Sequence, residues 1–242
     1  KTFIAENVSG LVKGTAKGYF KEILAALKAC GYRVEARLLD AQWLGVPQMR
    51  QRIIFQGVRE DLDVMPAFPS PLPYRYSVRE AIPWITATLH YGQFENYTGE
   101  RESRPAQSGP CPTIRATQGG SQQFHVEAEC DISRYAIGRE WDKIGVGGKS
   151  DKYTQLTRPN PDKPSGTITV EGGNTSTASV THPTERRKFS IAELRRICGF
   201  PDDFVLTGSY AQQWERLGRA VPPVMMYHIA KTLRDEVLCR IT

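Results

Sequence analysis

Residues 45–55 have the sequence Gly-Val-Pro-Gln-Met-Arg-Gln-Arg-Ile-Ile-Phe. A Gly-Val-Pro segment is followed by alternating polar residues and then by an apolar run. Glycine and proline interrupt regular structure, and the apolar run after them predicts a strand over residues 52–58. Alternate residues of an extended chain share a face, so Gln48, Arg50 and Arg52 are expected side by side. One amide beside two guanidiniums suits contacts with phosphates or base edges. An edge strand with solvated charges is the alternative interpretation.

The segments around this stretch predict an α/β fold. Residues 2–5 form a short apolar strand, and residues 14–30 place apolar side chains on one helical face before Gly31 ends the helix. That face comprises Tyr19, Phe20, Ile23, Leu24, Leu27 and Cys30. Residues 33–39 alternate as a further strand. This strand–helix–strand–strand order fits part of a sheet with helices against its faces.

Composition divides the chain into four parts. Residues 1–64 form the α/β portion, and the proline-rich residues 65–84 are predicted to be a linker that ends in a short helix. Residues 85–189 are rich in Gly, Ser and Thr and contain short β-like runs, which predicts a small β-rich domain inserted before the C-terminal helices. Residues 190–242 regain helical periodicity, and we expect their last helix to pack back on the α/β portion.

Local signals specify elements within the second half. Ser190 and Glu193 form a capping box that predicts a helix start. The runs at residues 112–120 and 166–173 predict two similar strand–turn units. A last helix is predicted from Pro222. Its predicted apolar face comprises Met226, Ile229, Ala230, Leu233 and Val237.

The charge distribution favours a polyanionic partner. The 242 residues carry a net charge of +6, with 10 basic and 6 acidic side chains in residues 1–61 and again in residues 186–242. A mildly basic chain fits nucleic acid, although a net charge of this size is common. Five cysteines without a Cys-x-x-Cys pair and four histidines without ligand spacing predict a reducing, cytoplasmic location and no metal site. No stretch approaches the roughly 20 apolar residues of a membrane span.

Two further clusters carry candidate chemistry. Glu6-Asn7-Val8 follows the first strand, and ligands of open α/β sheets bind beyond the carboxyl ends of strands. A carboxylate there can hydrogen-bond a base edge, although a helix cap or a salt bridge is the simpler interpretation. Leu-Gly-Arg-Ala-Val-Pro-Pro at residues 217–223 places a glycine before a helix that begins with proline. Its backbone can approach a ligand, but the same pattern is ordinary helix punctuation.

The order and spacing of these three clusters resemble the DNA cytosine-C5 methyltransferase family. In that family a Glu-Asn-Val strand end precedes a Gln-x-Arg-x-Arg strand, a variable DNA-reading domain follows, and a Gly-Asn-x-Val-Pro-Pro helix closes the chain. Residues 158–204 look like the family's segment that scaffolds the DNA-reading domain. The resemblance covers residues 1–61 and 158–238. It implies a partial Rossmann-like methyltransferase sheet with an inserted target-recognition domain at residues 85–189.

The resemblance also implies roles for individual residues. Glu6 would contact ring nitrogen 3 and the amino group of a cytosine flipped out of double-stranded DNA, and Arg52 would contact its carbonyl side. Arg50 would make a neighbouring phosphate or base contact. The cofactor is S-adenosylmethionine, with Gly218, Ala220 and Val221 as part of its pocket. The residues predicted to bind DNA are Gln48, Arg115 and Gln118.

Two departures from the family pattern shape the functional expectation. Arg219 replaces the family's Asn beside the cofactor pocket. In the family, a Gly-rich cofactor loop and a catalytic Pro-Cys-Gln precede Glu-Asn-Val, and neither motif occurs in this sequence. Cys111 lies in a Pro-Cys-Pro that follows the arginine strand, so it does not match the position of the catalytic cysteine. We therefore expect the C-terminal part of a bacterial, nucleoid-associated methyltransferase of the restriction–modification kind, inactive without an N-terminal segment or subunit. A non-catalytic DNA-binding module or specificity subunit is the alternative.

Overall fold

Three strands form one antiparallel sheet in the computed structural model, which describes residues 1–12, 16–83 and 130–241. The strands are β1 (Thr2–Val8), β2 (Tyr32–Asp40) and β3 (Gln51–Arg59), in the order β1-β3-β2. Each agrees with a predicted strand and extends it by one to three residues. Strand β3 lies between the other two, and its residues from Ile53 to Val58, which include Gln56, are all buried.

Helix α1 (Lys17–Ala29) follows β1 and agrees with the predicted helix. Its inner side chains are only half-buried, and Phe20 contacts Phe55 of β3 with ring centroids 5.6 Å apart. Two residues of the predicted apolar face are exposed: Tyr19, near the start of the helix, and Cys30, which follows its last residue. The helix ends at Ala29, and two residues later Gly31 reverses the chain with a φ of +80°, which favours glycine.

Within the described ranges, four short or medium helices lie between α1 and the last helix: α2 (Val78–Ala81), α3 (Ala136–Trp141), α4 (Ile191–Ile197) and α5 (Tyr210–Arg219). The predicted capping box of Ser190 and Glu193 starts α4, and similar boxes start α2 and α5. Residues of α4 and α5 share one hydrophobic core with Ile168 and Phe189. Trp214 of α5 is fully buried in this core.

Helix α6 (Pro223–Glu236) packs on the sheet. Met225 and Ile229 share a core with Ile54 of β3, and Leu233 shares a core with Val58. The predicted apolar face of α6 is wrong at Ala230, which is exposed on the solvent side of the helix. None of the helices in the described ranges is long and apolar enough to cross a membrane.

The described part of the predicted β-rich domain, residues 130–189, is not a sheet. It contains α3, a 3-10 turn over Val170–Gly173 and isolated β-bridges such as those of Thr157 with Lys149 and Val180. The expected strand–turn unit at 166–173 therefore forms an extended segment and the 3-10 turn instead of a strand. The companion unit at 112–120 lies outside the described residues.

Candidate active site at the edge of the sheet

Glu6 and Arg52 form an ion pair where β1 ends and β3 begins. Val8 lies opposite Arg52 in the strand register, so Glu6 is its diagonal neighbour. The Oε1 atom of Glu6 lies 2.6 Å from Nε of Arg52. The side chain of Arg52 is 11% exposed and that of Glu6 29%, so the carboxylate remains open to a ligand. Burial lowers the pKa of Arg52, and the Glu6 carboxylate opposes that shift by stabilising the cation.

This pair places a hydrogen-bond acceptor directly beside hydrogen-bond donors. A carboxylate accepts hydrogen bonds, and a guanidinium only donates them. Side by side they complement a planar ligand edge that carries a donor next to an acceptor. The structure thus brings together two of the three residues predicted to be catalytic.

Arg50, the third, lies in the interior and is only 2% exposed. Its Nη1 donates to the carbonyl of Ile168 at 3.0 Å, and its Nη2 donates to the carbonyl of Gly218 at 2.7 Å. Burial and the neighbouring charge of Arg52 lower the pKa of Arg50 to about 10. The prediction that Arg50 contacts a phosphate or a base is wrong, because two backbone carbonyls hold its guanidinium away from solvent.

The predicted DNA contact of Gln48 needs the same correction. Gln48 is fully buried, and its Nε2 donates to Sγ of Cys198 at 3.2 Å. The backbone explains the burial: Gln48 forms a parallel bridge with Ser165, so this part of the row lies between two chain segments rather than at an edge. Of the row of three, only Arg52 reaches the open edge of the sheet. The other two predicted DNA contacts, at residues 115 and 118, lie outside the described residues.

The predicted cofactor residues lie at the turn between α5 and α6. Ala220 and Val221 are half-buried there. Gly218 is buried, and a Cβ built on it would lie only 2.8–2.9 Å from backbone atoms of Thr169 and Val170. Only glycine fits this contact, so the close backbone approach expected at Gly218 is made to protein. Arg219 points outward, 68% exposed, and pairs with Glu215 at 2.5 Å.

Sequence reasoning missed a buried polar network behind the site. Arg187 donates to both carboxylate oxygens of Glu193, at 2.7 and 2.8 Å, and the two hydrogen bonds and the charge of Glu193 raise the pKa of Arg187 against the effect of burial. His182 lies against Glu193, with Nε2 3.7 Å from Oε1. Its Nδ1 accepts the backbone N–H groups of Thr184 and Glu185. The sequence identified Glu193 only as a helix cap, and nothing local marks its second partner.

Lys188 forms a second buried anchor. Its ammonium donates to the carbonyls of Gly172, Asn174 and Thr177 at 2.5, 2.6 and 2.8 Å. Lys188 thereby fixes the loop that packs against α5, where a Cβ on Gly172 would meet the Trp214 indole at 2.5 Å. Across residues 1–12, 16–83 and 130–241, no group of three His, Cys, Asp or Glu side chains is arranged to hold a metal ion.

The described elements form a mixed α/β fold. An Escherichia coli prophage protein assigned as a DNA modification methyltransferase matches it with a TM-score of 0.63, covering 98% of this chain and 70% of that chain at 19% identity. An identity this low establishes the fold alone. The model of the C-5 cytosine-specific DNA methylase family matches residues 1–235. The chain belongs to that family.

Curated relatives include two type II methyltransferases. M.MthTI of Methanothermobacter thermautotrophicus is 28% identical over 236 residues, which are 97% of this chain and 66% of the relative. M.NgoFVII of Neisseria gonorrhoeae is 28% identical over 233 residues, 96% of this chain and 58% of the relative. The chain therefore spans between 58% and 66% of the length of these two relatives.

Proposed function

We propose that this chain supplies cytosine recognition and DNA sequence specificity to an S-adenosylmethionine-dependent DNA cytosine-C5 methyltransferase. The Glu6–Arg52 pair carries the proposal, since it places an acceptor and donors at one partly open edge of the sheet. Membership of the family over residues 1–235 supports the reaction class.

The chemistry of cytosine fits the pair. Its amino group is a donor, its ring nitrogen 3 an acceptor, and its carbonyl oxygen a second acceptor. Glu6 would accept from the amino group and share a proton with ring nitrogen 3, while Arg52 would donate to the carbonyl. Both contacts require the base to leave the stack, because its pairing edge is otherwise occupied. A thiolate from the Pro-Cys-Gln of the N-terminal segment would add at carbon 6. The proton shared with Glu6 would neutralise the charge that develops at nitrogen 3, and the electron pair left at carbon 5 would be free to bond to the donated methyl group.

The cofactor site is only partly supported by the residues present. S-adenosylmethionine would supply the methyl group to carbon 5. The half-buried Ala220 and Val221 can form one wall of its pocket. Gly218 faces Thr169 and Val170 instead of an open cradle, so we assign it a packing role at that wall. The remaining walls would come from parts of the enzyme outside the described residues.

We further propose that the 242-residue chain is inactive alone, because no Pro-Cys-Gln occurs in it. Incubation with DNA and S-adenosylmethionine should give no methyl transfer. Addition of an N-terminal methyltransferase segment that carries Pro-Cys-Gln should restore transfer, and failure to do so would favour a non-catalytic DNA-binding module. Methylation by the chain alone, abolished by Cys111→Ser, would contradict the proposed incompleteness.

The decisive test of the site is Glu6→Gln in the complemented enzyme. Gln keeps the size and a hydrogen-bonding oxygen but cannot share the proton, so the single-turnover rate should fall by about 10²-fold or more with DNA binding retained. Glu35→Gln is the matched control, because Glu35 is a partly exposed carboxylate on β2 that lies near Arg37 at 3.7 Å. A rate for Glu6→Gln equal to that of the control would remove Glu6 from the mechanism.

A further inference from the structure

We propose that Arg50 is a positioning residue that fixes the α5–α6 turn relative to the Glu6–Arg52 pair. The inference rests on the proposed function, because the turn matters as a wall of the cofactor pocket. It replaces the predicted DNA contact of Arg50 with a role inside the protein.

The contacts of Arg50 define this role. Its two terminal nitrogens donate to the carbonyls of Ile168 and Gly218, which lie 118 and 168 positions away in the sequence. Within the described ranges no carboxylate forms a salt bridge with it. A charge buried without a carboxylate is costly, so the site must stabilise the cation in another way.

The end of helix α5 provides that stabilisation. Gly218 is one of the last four residues of α5, where backbone carbonyls have no partner within the helix. These carbonyls also carry the partial negative charge of the helix dipole. The guanidinium therefore caps the C-terminus of α5 from a different element, with a charge-assisted hydrogen bond of 2.7 Å.

The two carbonyls flank a tight backbone contact. Gly218 lies against Thr169, the neighbour of Ile168, and the indole nitrogen of Trp214 donates to the carbonyl of Thr169 at 2.8 Å. Arg50 holds the two sides of this contact together. Because Arg52 lies two residues further along the same chain, one short segment sets both the base-recognition pair and the position of the turn.

The first experiment measures amide hydrogen exchange on the chain itself, which requires no activity. In Arg50→Met, peptides covering residues 166–174 and 216–224 should exchange about tenfold faster or more, since local opening is no longer restrained there. Arg59→Met is the matched control, because Arg59 lies on the same strand with an exposed partner, Asp61. Exchange at both segments equal to that of the control would overturn the proposal.

Arg50→Lys keeps the inference testable if the Met variant does not fold. Lysine is shorter than arginine and carries one donor nitrogen in place of the two terminal nitrogens that reach Ile168 and Gly218, so exchange should rise in at least one of the two segments while the chain stays folded. Unchanged exchange in both segments would show that Arg50 does not restrain them.

The complemented enzyme separates this role from a DNA contact. Arg50→Lys should raise the KM for S-adenosylmethionine several-fold with a smaller effect on kcat, and it should leave the salt dependence of DNA binding unchanged. A salt slope shallower by about 1, with exchange and KM unchanged, would restore the phosphate contact and refute the positioning role. Failure of Glu6→Gln to slow transfer would refute the proposed function but would leave the exchange result standing.

Discussion

Replacement of Gly218 by alanine tests the close contact on which the site is built. The added Cβ would lie 2.8 Å from the carbonyl carbon of Thr169 and 2.9 Å from both its oxygen and the nitrogen of Val170. Carbon atoms pack best at about 3.5–4.0 Å, so α5 would have to move away by roughly 0.5–1 Å. All three atoms are backbone, and no flexible side chain can yield.

The expected cost follows from three contributions. Overpacking of a tight contact costs about 1–3 kcal/mol. The shift would also stretch the hydrogen bond from Arg50 to Gly218, whose loss costs about 1 kcal/mol. Alanine in place of glycine in a helix returns up to about 1 kcal/mol. The net loss of unfolding free energy is therefore about 2 kcal/mol.

The assay is denaturant unfolding of the chain, with Gly18→Ala as the matched control. A Cβ on Gly18 of α1 meets no atom within 4 Å, so that variant should be neutral or more stable by about 0.5 kcal/mol. Gly218→Ala should shift the midpoint to lower denaturant at an unchanged slope. A Gly218→Ala variant as stable as Gly18→Ala would refute the close packing of α5 on residues 169–170.

Three further predictions concern buried and exposed charges. Lys188→Met should lower the unfolding free energy by about 3 kcal/mol in denaturant melts, because three carbonyls lose their donor, whereas the exposed Lys149→Met should not. Burial and the charge of Arg187 lower the pKa of His182 to about 4. Between pH 6.5 and 4 the unfolded chain therefore binds more protons than the folded chain, and the unfolding free energy should fall by roughly 3 kcal/mol as the pH drops through this range. His182→Asn should flatten this part of the pH–stability curve, and an unchanged curve would contradict the shift. Arg219→Asn in the complemented enzyme should leave the KM for S-adenosylmethionine within a few fold and make the salt dependence of DNA binding shallower; a tenfold rise in KM would place Arg219 at the cofactor.

The sequence was sufficient wherever the determining signal is local. Strand β3 was predicted over residues 52–58 and spans Gln51–Arg59, because an apolar run bounded by polar residues marks a buried strand. The start of α4 was predicted from Ser190 and Glu193, since a capping box satisfies its own backbone donors. The sequence indicates that Glu6 and Arg52 each lie at the end of a strand, but their ion pair follows from the register of β1 on β3, in which Val8 lies opposite Arg52.

The inward orientation of the Gln48 and Arg50 side chains could not be predicted from such local signals. The alternation argument placed both beside Arg52 at an open edge, whereas the chain at Gln48 pairs with Ser165, more than a hundred residues downstream. Charged side chains are seldom fully buried, and the acceptors of Arg50 are backbone carbonyls, which every residue possesses. A sequence pattern therefore carries no mark of this arrangement.

Shared cores also bear on where sequence specificity resides. The predicted DNA-reading domain covers residues 85–189, but Cys130, Val180 and Phe189 belong to the same hydrophobic core as Leu194 and Trp214. The backbone N–H of Lys188 further donates to the carbonyl of Cys130 at 2.9 Å. A segment that must vary to read new sequences is poorly placed in a core that also fixes α4 and α5, since core substitutions cost several kcal/mol. Within the proposed function, residues 130–189 are therefore better suited to support the DNA-reading surface than to vary with the target, and the search for base contacts belongs in residues 85–129, where Arg115 and Gln118 lie.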